Sequence, residues 1–142
     1  MQTVEGILSK KGSAVRSVAP NDTVLHALGV MAEHDIGGVV VLDGDKLVGI
    51  LTERDYARRV ILLGRASRDV PVAEIMTSHV CCVSPDRTVE ECMALMTDKR
   101  HRHLPVLDHK KVIGVISIGD VVKAMIAEKE FEIAQLNSYI SG

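Results

Sequence analysis

Two stretches of the chain carry residue types that could do chemistry at a fixed spacing: Gly49-Ile50-Leu51-Thr52-Glu53-Arg54-Asp55 and Gly114-Val115-Ile116-Ser117-Ile118-Gly119-Asp120. In each, an apolar run ends on a hydroxyl side chain and an aspartate stands three residues later. That spacing is the spacing of a capping box, in which hydroxyl and carboxylate satisfy the free amides of a helix start. A helix start of this kind also presents groups outward. Its amides and dipole favour a phosphate, and an ionised carboxylate, which only accepts hydrogen bonds, can take both protons of a ribose diol. A single copy is explained by capping alone. Two copies in register argue for binding as well, because two such clefts would face each other across one packed interface.

Other candidates are weaker. His101 and His103 share one face of an expected strand, but no Cys or acid stands at ligand spacing beside them, so no metal site is expected. Cys81 and Cys82 would point to opposite sides of a strand, and Cys92 takes a core position on a helix. A reactive thiol needs exposure and a lowered pKa, so inert thiols are expected. Gly114 to Gly119 resembles a nucleophile elbow around Ser117, yet its first glycine is one residue too far away and no histidine is placed by motif. With no metal site, positioned base or nucleophile, the chain is not expected to be an enzyme. Met31, Met93 and Met96 are read as core filler.

These two stretches are held in place by a repeat. Slid against itself by 65 residues, the sequence aligns Val15 to Ile61 with Val80 to Ile126 without a gap, and 13 of the 47 positions are identical. The identities include Pro20 with Pro85, Thr23-Val24 with Thr88-Val89, Gly49 with Gly114, and Asp55 with Asp120. Self-similarity of this kind means one supersecondary unit used twice, each copy too small to bury its own apolar face.

Each copy reads as β-α-β-β-α. A short strand at Val15 to Val18 or Val80 to Val83 leads into a proline, after which Asn21-Asp22 and Asp86 offer capping side chains. Val24, Ala27, Leu28 and Met31 then fall at i, i+3, i+4 and i+7, as do Val89, Cys92, Met93 and Met96, which predicts amphipathic helices. A hairpin follows, turning at Asp43-Gly44-Asp45 or Asp108-His109-Lys110, with Asp-Gly the stronger signal. A second helix closes each copy. Two three-stranded sheets with helices on one side would pack sheet to sheet about a pseudo-two-fold axis. The class is α/β (α+β), divided as 1-70 and 71-142, the latter ending in a helical extension with Ile133, Leu136 and Ile140 at docking spacing.

Composition narrows the function. Seventeen Lys+Arg stand against nineteen Asp+Glu and no segment is a basic block, which disfavours nucleic acid. The aromatic residues are Tyr56, Phe131 and Tyr139, with no Trp, so stacking platforms for bases are excluded. No apolar run approaches a membrane span of roughly 18 residues, and the N-terminal residues hold no continuous apolar stretch of signal-peptide type. Three clustered cysteines read as reduced thiols, so the expected location is the cytoplasm.

The strand-to-helix motif, the segment Arg102-His103-Leu104-Pro105-Val106-Leu107-Asp108, and the approaches Glu74-Ile75-Met76-Thr77 and Val83-Ser84-Pro85 together resemble a tandem pair of CBS domains, a Bateman module. The wording Thr52-Glu53-Arg54-Asp55-Tyr56 and Ser117-Ile118-Gly119-Asp120-Val121-Val122 is similar to the small stand-alone two-CBS proteins. This resemblance implies a regulatory module that binds an adenosine nucleotide, AMP foremost, with ADP, ATP or NAD(H) as alternatives, in clefts between the halves. It places the ribose acid on Asp55 and Asp120 and the hydroxyl partner on Thr52 and Ser117. It places the backbone bracketing the base on Gly37-Gly38-Val39 and on His103-Leu104-Pro105. Arg54 and Arg102, with Gly119 opening the second helix, are placed near the phosphates by charge and position. A homodimer acting on an unknown regulated protein is expected, and the alternative is a structural dimer with empty clefts. The second copy, with Arg102 and His103 where the first has Gly37 and Gly38, is expected to bind more tightly.

Overall fold

Two threonines that are identical between the repeats start the two amphipathic helices in this computed structural model, which describes residues 2–141, with side chains to 140. Thr23 caps α2 (Val24–His34) by accepting from His26 N, and Thr88 caps α5 (Val89–Lys99) by accepting from Glu91 N, the Glu91 carboxylate returning the bond. The caps are therefore not Asn21, Asp22 or Asp86. Asp22 instead accepts from Ala19 N at 2.8 Å and fixes the turn before the helix. Asp35 and Arg100 end these helices in the left-handed region, with φ of 52° and 58°.

The chain divides into two compact units, Val15–Val80 and a discontinuous one made of residues 1–14 with 81–142. In the first, β1 (Ser17–Val18) runs parallel to β2 (Gly38–Asp43), which pairs antiparallel with β3 (Lys46–Thr52). In the second, β4 (His103–Asp108) pairs antiparallel with β5 (Lys111–Ser117). The two expected three-stranded sheets are thus one of three strands and one of two. At Val83 only a parallel bridge to Val106 forms, through Val83 N to Pro105 O and Leu107 N to Val83 O. The next ladder bond toward Cys81 would need an N–H from residue 105, which is proline and has none. Val40 holds that place in the first repeat and lets Ser17 pair. Cys81 and Cys82 consequently lie off any strand, both half-buried.

Both hairpins turn where the sequence places them, between Asp43 and Lys46 and between Asp108 and Lys111. Gly44 takes φ of 64°, while the second turn places His109 and Lys110 at φ of 51° and 65° without a glycine.

An element not foreseen in the sequence is α1 (Val4–Lys11), capped by Thr3. Its Val4, Ile7 and Leu8 are buried with Val89, Leu104 and Ile116 in the core of the second repeat, and Val4 N donates to Arg87 O. Residues 71–80 stay with the first repeat, where Val72 and Ile75 of α4 (Val72–Ile75) join its core. The compact units thus change over at residues 14 and 80, not at residue 70. The closing helix of the first repeat is α3 (Glu53–Tyr56) continued as a π-helical turn, Ala57–Ile61. That of the second is α6 (Ile118–Ser141), 24 residues long, whose Val121 and Ala124 are buried while residues 129–140 are exposed.

Candidate functional site

In the second repeat the hairpin register pairs His103 with Ser117, and Ile118 N donates to Arg102 O at 2.8 Å. The start of β4, the end of β5 and the first turn of α6 therefore meet at one point. Ser117 and Asp120 form the reciprocal cap: Asp120 N donates to Ser117 Oγ at 3.2 Å and Ser117 N to Asp120 Oδ2 at 2.8 Å. The structural use of this motif is realised.

A further residue converges here that sequence reasoning missed. Lys11, at the end of α1, places Nζ 2.7 Å from Asp120 Oδ2 and 2.9 Å from Val115 O. The signal was hidden because α1 precedes the first repeat yet packs on the second. Burial by itself raises the Asp120 pKa; the Lys11 hydrogen bond, the Ser117 amide and the Lys11 charge outweigh it and hold the carboxyl below its ordinary value. Asp120 Oδ1 carries no hydrogen bond among the described residues. Beside it, burial and the Lys11 charge, opposed by Asp120, push the His103 imidazole below its ordinary value. His103 Nδ1 is buried without a hydrogen-bond partner. A neutral imidazole with an unsatisfied nitrogen, an ionised carboxylate with one open oxygen and an ammonium make a polar site whose hydrogen-bonding capacity is incompletely used.

The first repeat builds the same turn with different surroundings. Gly38 pairs with Thr52, and Glu53 N donates to Gly37 O at 3.0 Å, matching Ile118 and Arg102. Asp55 N donates to Thr52 Oγ1 at 3.2 Å and Thr52 N to Asp55 Oδ2 at 3.0 Å. The Asp55 Oδ1 atom accepts from Thr77 Oγ1 at 3.4 Å, and among the described residues no lysine pairs with this carboxylate. Gly38, Val39, Leu104 and Pro105 are buried, while Gly37 and His103 beside them are half-buried. Arg54 and Arg102 are exposed and form no ion pair among the described residues, and Gly119 is exposed with no steric need for glycine. No three His, Cys, Asp or Glu side chains among the described residues stand close enough to hold a metal. Burial raises the Cys82 thiol above its ordinary value and pushes the buried Cys92 thiol up to about 11.

Two copies of one strand-to-helix turn, each closing on the first strand of its hairpin, match a known pattern. The CBS domain model fits residues 4–62 and again 72–127. The chain belongs to the CBS-domain family. Among relatives of this CBS protein, a mitochondrial CBS domain-containing protein of Arabidopsis thaliana, CBSX3, is 40% identical over 149 residues, covering 99% of this chain and 72% of that protein. The crystal structure of the CBS-domain protein NE2398 superposes with a TM-score of 0.85 at 50% identity, covering 88% of this chain and 98% of that one. A putative signal-transduction protein with CBS domains from Burkholderia ambifaria gives a TM-score of 0.86 at 53% identity over 89% and 95% of the two chains. The CBS match spans both repeats, and no helix among the described residues is long and apolar enough to cross a membrane.

Proposed function

We propose that this CBS protein is a regulatory module that performs no reaction and senses an adenosine nucleotide, AMP, ADP, ATP or NAD(H), with one ribose held by Asp55 and one by Asp120. Occupancy biases the chain toward an arrangement with different affinity for a regulated protein, which requires the ligand to bind that arrangement better. The observation that carries this reading is the convergence at Asp120. One carboxylate oxygen is engaged by Lys11 and Ser117 and the other is open, while the His103 Nδ1 beside it lacks a partner. The reduced cysteines fit a cytoplasmic setting.

A second reading has its own support. Both aspartates already serve as helix caps, which is the use a purely structural dimer would make of them. Calorimetry with AMP and 2′-deoxy-AMP separates the two. Loss of one hydrogen bond to a charged acceptor costs about 1.5 to 3 kcal/mol, so the deoxy ligand should bind at least tenfold more weakly. Equal affinities would remove the ribose role, and no heat with any adenine nucleotide would favour the structural dimer.

A further inference from the structure

The closing helix of the first repeat ends on three consecutive exposed aliphatic residues. Ile61, Leu62 and Leu63 are 55, 76 and 66% exposed, and a run of three exposed apolar residues is a fault in a protein surface unless something uses it. The local backbone explains the display. Leu62 N donates to Ala57 O across the π-helical turn and Arg65 N donates to Val60 O, with Gly64 between them at φ of 69°. Only Val60 of this turn reaches the core. Leu25, itself 53% exposed, is tied to the following loop by donating from its N to Ser67 O at 3.0 Å, and it adds a fourth aliphatic side chain.

Charge of one sign surrounds this turn. From Tyr56 to Arg68 the sequence holds four arginines, Arg58, Arg59, Arg65 and Arg68, and no Asp or Glu, in a chain whose formal charge is -2. Two of them serve the fold. Arg65 pairs with Glu74, and Arg59 donates to Ile75 O and Met76 O at the end of α4. Arg58 and Arg68 are exposed and have no carboxylate within ion-pair distance among the described residues. We infer that this turn docks on an anionic lipid surface, its aliphatic side chains entering the headgroup boundary and its arginines meeting the lipid phosphates.

Shape and charge favour lipid over a protein partner. Successive positions on a helical turn point about 100° apart, so Ile61, Leu62 and Leu63 fan over too wide an arc for one rigid partner face. A fluid boundary closes around all three. A second copy seated on the same patch would bring Arg58 and Arg68 against their own equivalents about a two-fold axis, which like charge opposes, whereas anionic lipid neutralises them. The fold does not demand this display. At a step of 65 residues the second repeat has Ile126-Ala127-Glu128 in place of Ile61-Leu62-Leu63, and Glu130 in place of Arg65.

This docking goes beyond the nucleotide reading and does not depend on it. Co-sedimentation with vesicles tests it, using phosphatidylcholine alone and phosphatidylcholine mixed with phosphatidylglycerol in equal parts. The full chain is compared with Leu62→Asn/Leu63→Asn and Arg58→Gln/Arg68→Gln, with melting curves confirming folding and light scattering reporting mass. All four side chains are exposed, so both variants should fold. The wild type should bind the mixed vesicles and not the neutral ones, and more weakly at high salt. The arginine substitutions should weaken binding roughly thirtyfold, and the leucine substitutions by at least about tenfold. Binding that neither pair of substitutions alters, or equal binding to neutral vesicles, would overturn the inference. A wild type that stays free of both vesicles would overturn it too, and a mass halved by Leu62→Asn/Leu63→Asn would then assign the patch to a contact between copies.

Discussion

Leu8 Cδ2 stands 2.7 Å from the point where a β-carbon on Gly114 would lie, so the first helix of the chain occupies the space that a side chain on β5 would need. The first repeat has the same relationship in other residues: a β-carbon on Gly49 would lie 2.5 Å from Met76 Sδ and 3.0 Å from Thr77 O. Val4, Ile7 and Leu8 match Val72, Ile75 and Met76 at a step of 68 residues. Each hairpin thus keeps a glycine because a flanking segment seals it. The seal on the second repeat also brings Lys11 to Asp120.

The first prediction concerns that seal. Gly114→Ala should destabilise by about 1 to 3 kcal/mol through overpacking, and Leu8→Ala by about 2 to 5 kcal/mol through the cavity it leaves. The new methyl group would enter the space vacated by Leu8. The double variant should therefore lose less than the sum of the singles in urea unfolding, and strict additivity would show that the two residues do not share one space.

How much of this was legible follows from the range over which each signal acts. The turns at Thr52 and Ser117 depend on residues three apart, and the helices on steps of three and four, so both could be read directly. The assignment of α1 to the second repeat could not, because Leu8 and Gly114 are far apart in sequence and α1 has only eight residues. The missing strand at Val80 to Val83 was legible in principle. Pro105 lacks the N–H that strand requires, but the pairing partner had to be known first. Lys11 was unreadable as a site residue for the same reason as α1. Thr23 and Thr88 lay in plain view as identities, while the more conspicuous Asp22 and Asp86 drew the cap assignment away from them.

Stability should fall on acidification in two windows. The His103 pKa is lowered from 6.5 in the folded chain, mainly by burial, so between that lowered value and 6.5 the unfolded chain binds a proton that the folded chain refuses. Stability is then full above the unfolded value and declines as pH falls through the window. Asp120, also lowered, adds stability above its unfolded value of 3.8 that is lost as pH falls through the folded one. Melting temperatures from pH 8 to 5 should drop more steeply for the wild type than for His103→Gln. Parallel curves would exclude the imidazole as the source.

A homodimer should form through α6. Ile126, Ile133, Leu136 and Ile140 are 54 to 80% exposed and recur at steps of seven, three and four, the spacing of a two-helix seam. Residues 129–140 are exposed on every side, and an isolated helix of that length is marginal in water without a packing face. Light scattering should give about twice the 15.4 kDa chain mass, and Leu136→Glu should return it to the monomer value. A wild-type mass of 15.4 kDa at micromolar concentration would exclude the seam.

The two nucleotide sites should be unequal, with the Asp120 site the tighter. Asp55 has both oxygens engaged by neutral hydroxyls or an amide, from Thr52 and Thr77. Asp120 keeps Oδ1 open and lies beside Lys11 and the unpartnered His103 nitrogen. Hydrogen bonds with a charged partner are roughly twice as strong as neutral ones, so a phosphate reaching Lys11 gains what the first repeat does not supply there. The comparison is best made with asparagine, which still accepts the capping amide of Ser117 or Thr52 and so spares the helix start. Asp120→Asn should abolish the tighter phase of an AMP titration, while Asp55→Asn should leave that phase within about twofold if the two sites share no partner. The reverse pattern would place the dominant site in the first repeat and shift the phosphate contacts to Arg54, the charged residue in the first turn of α3.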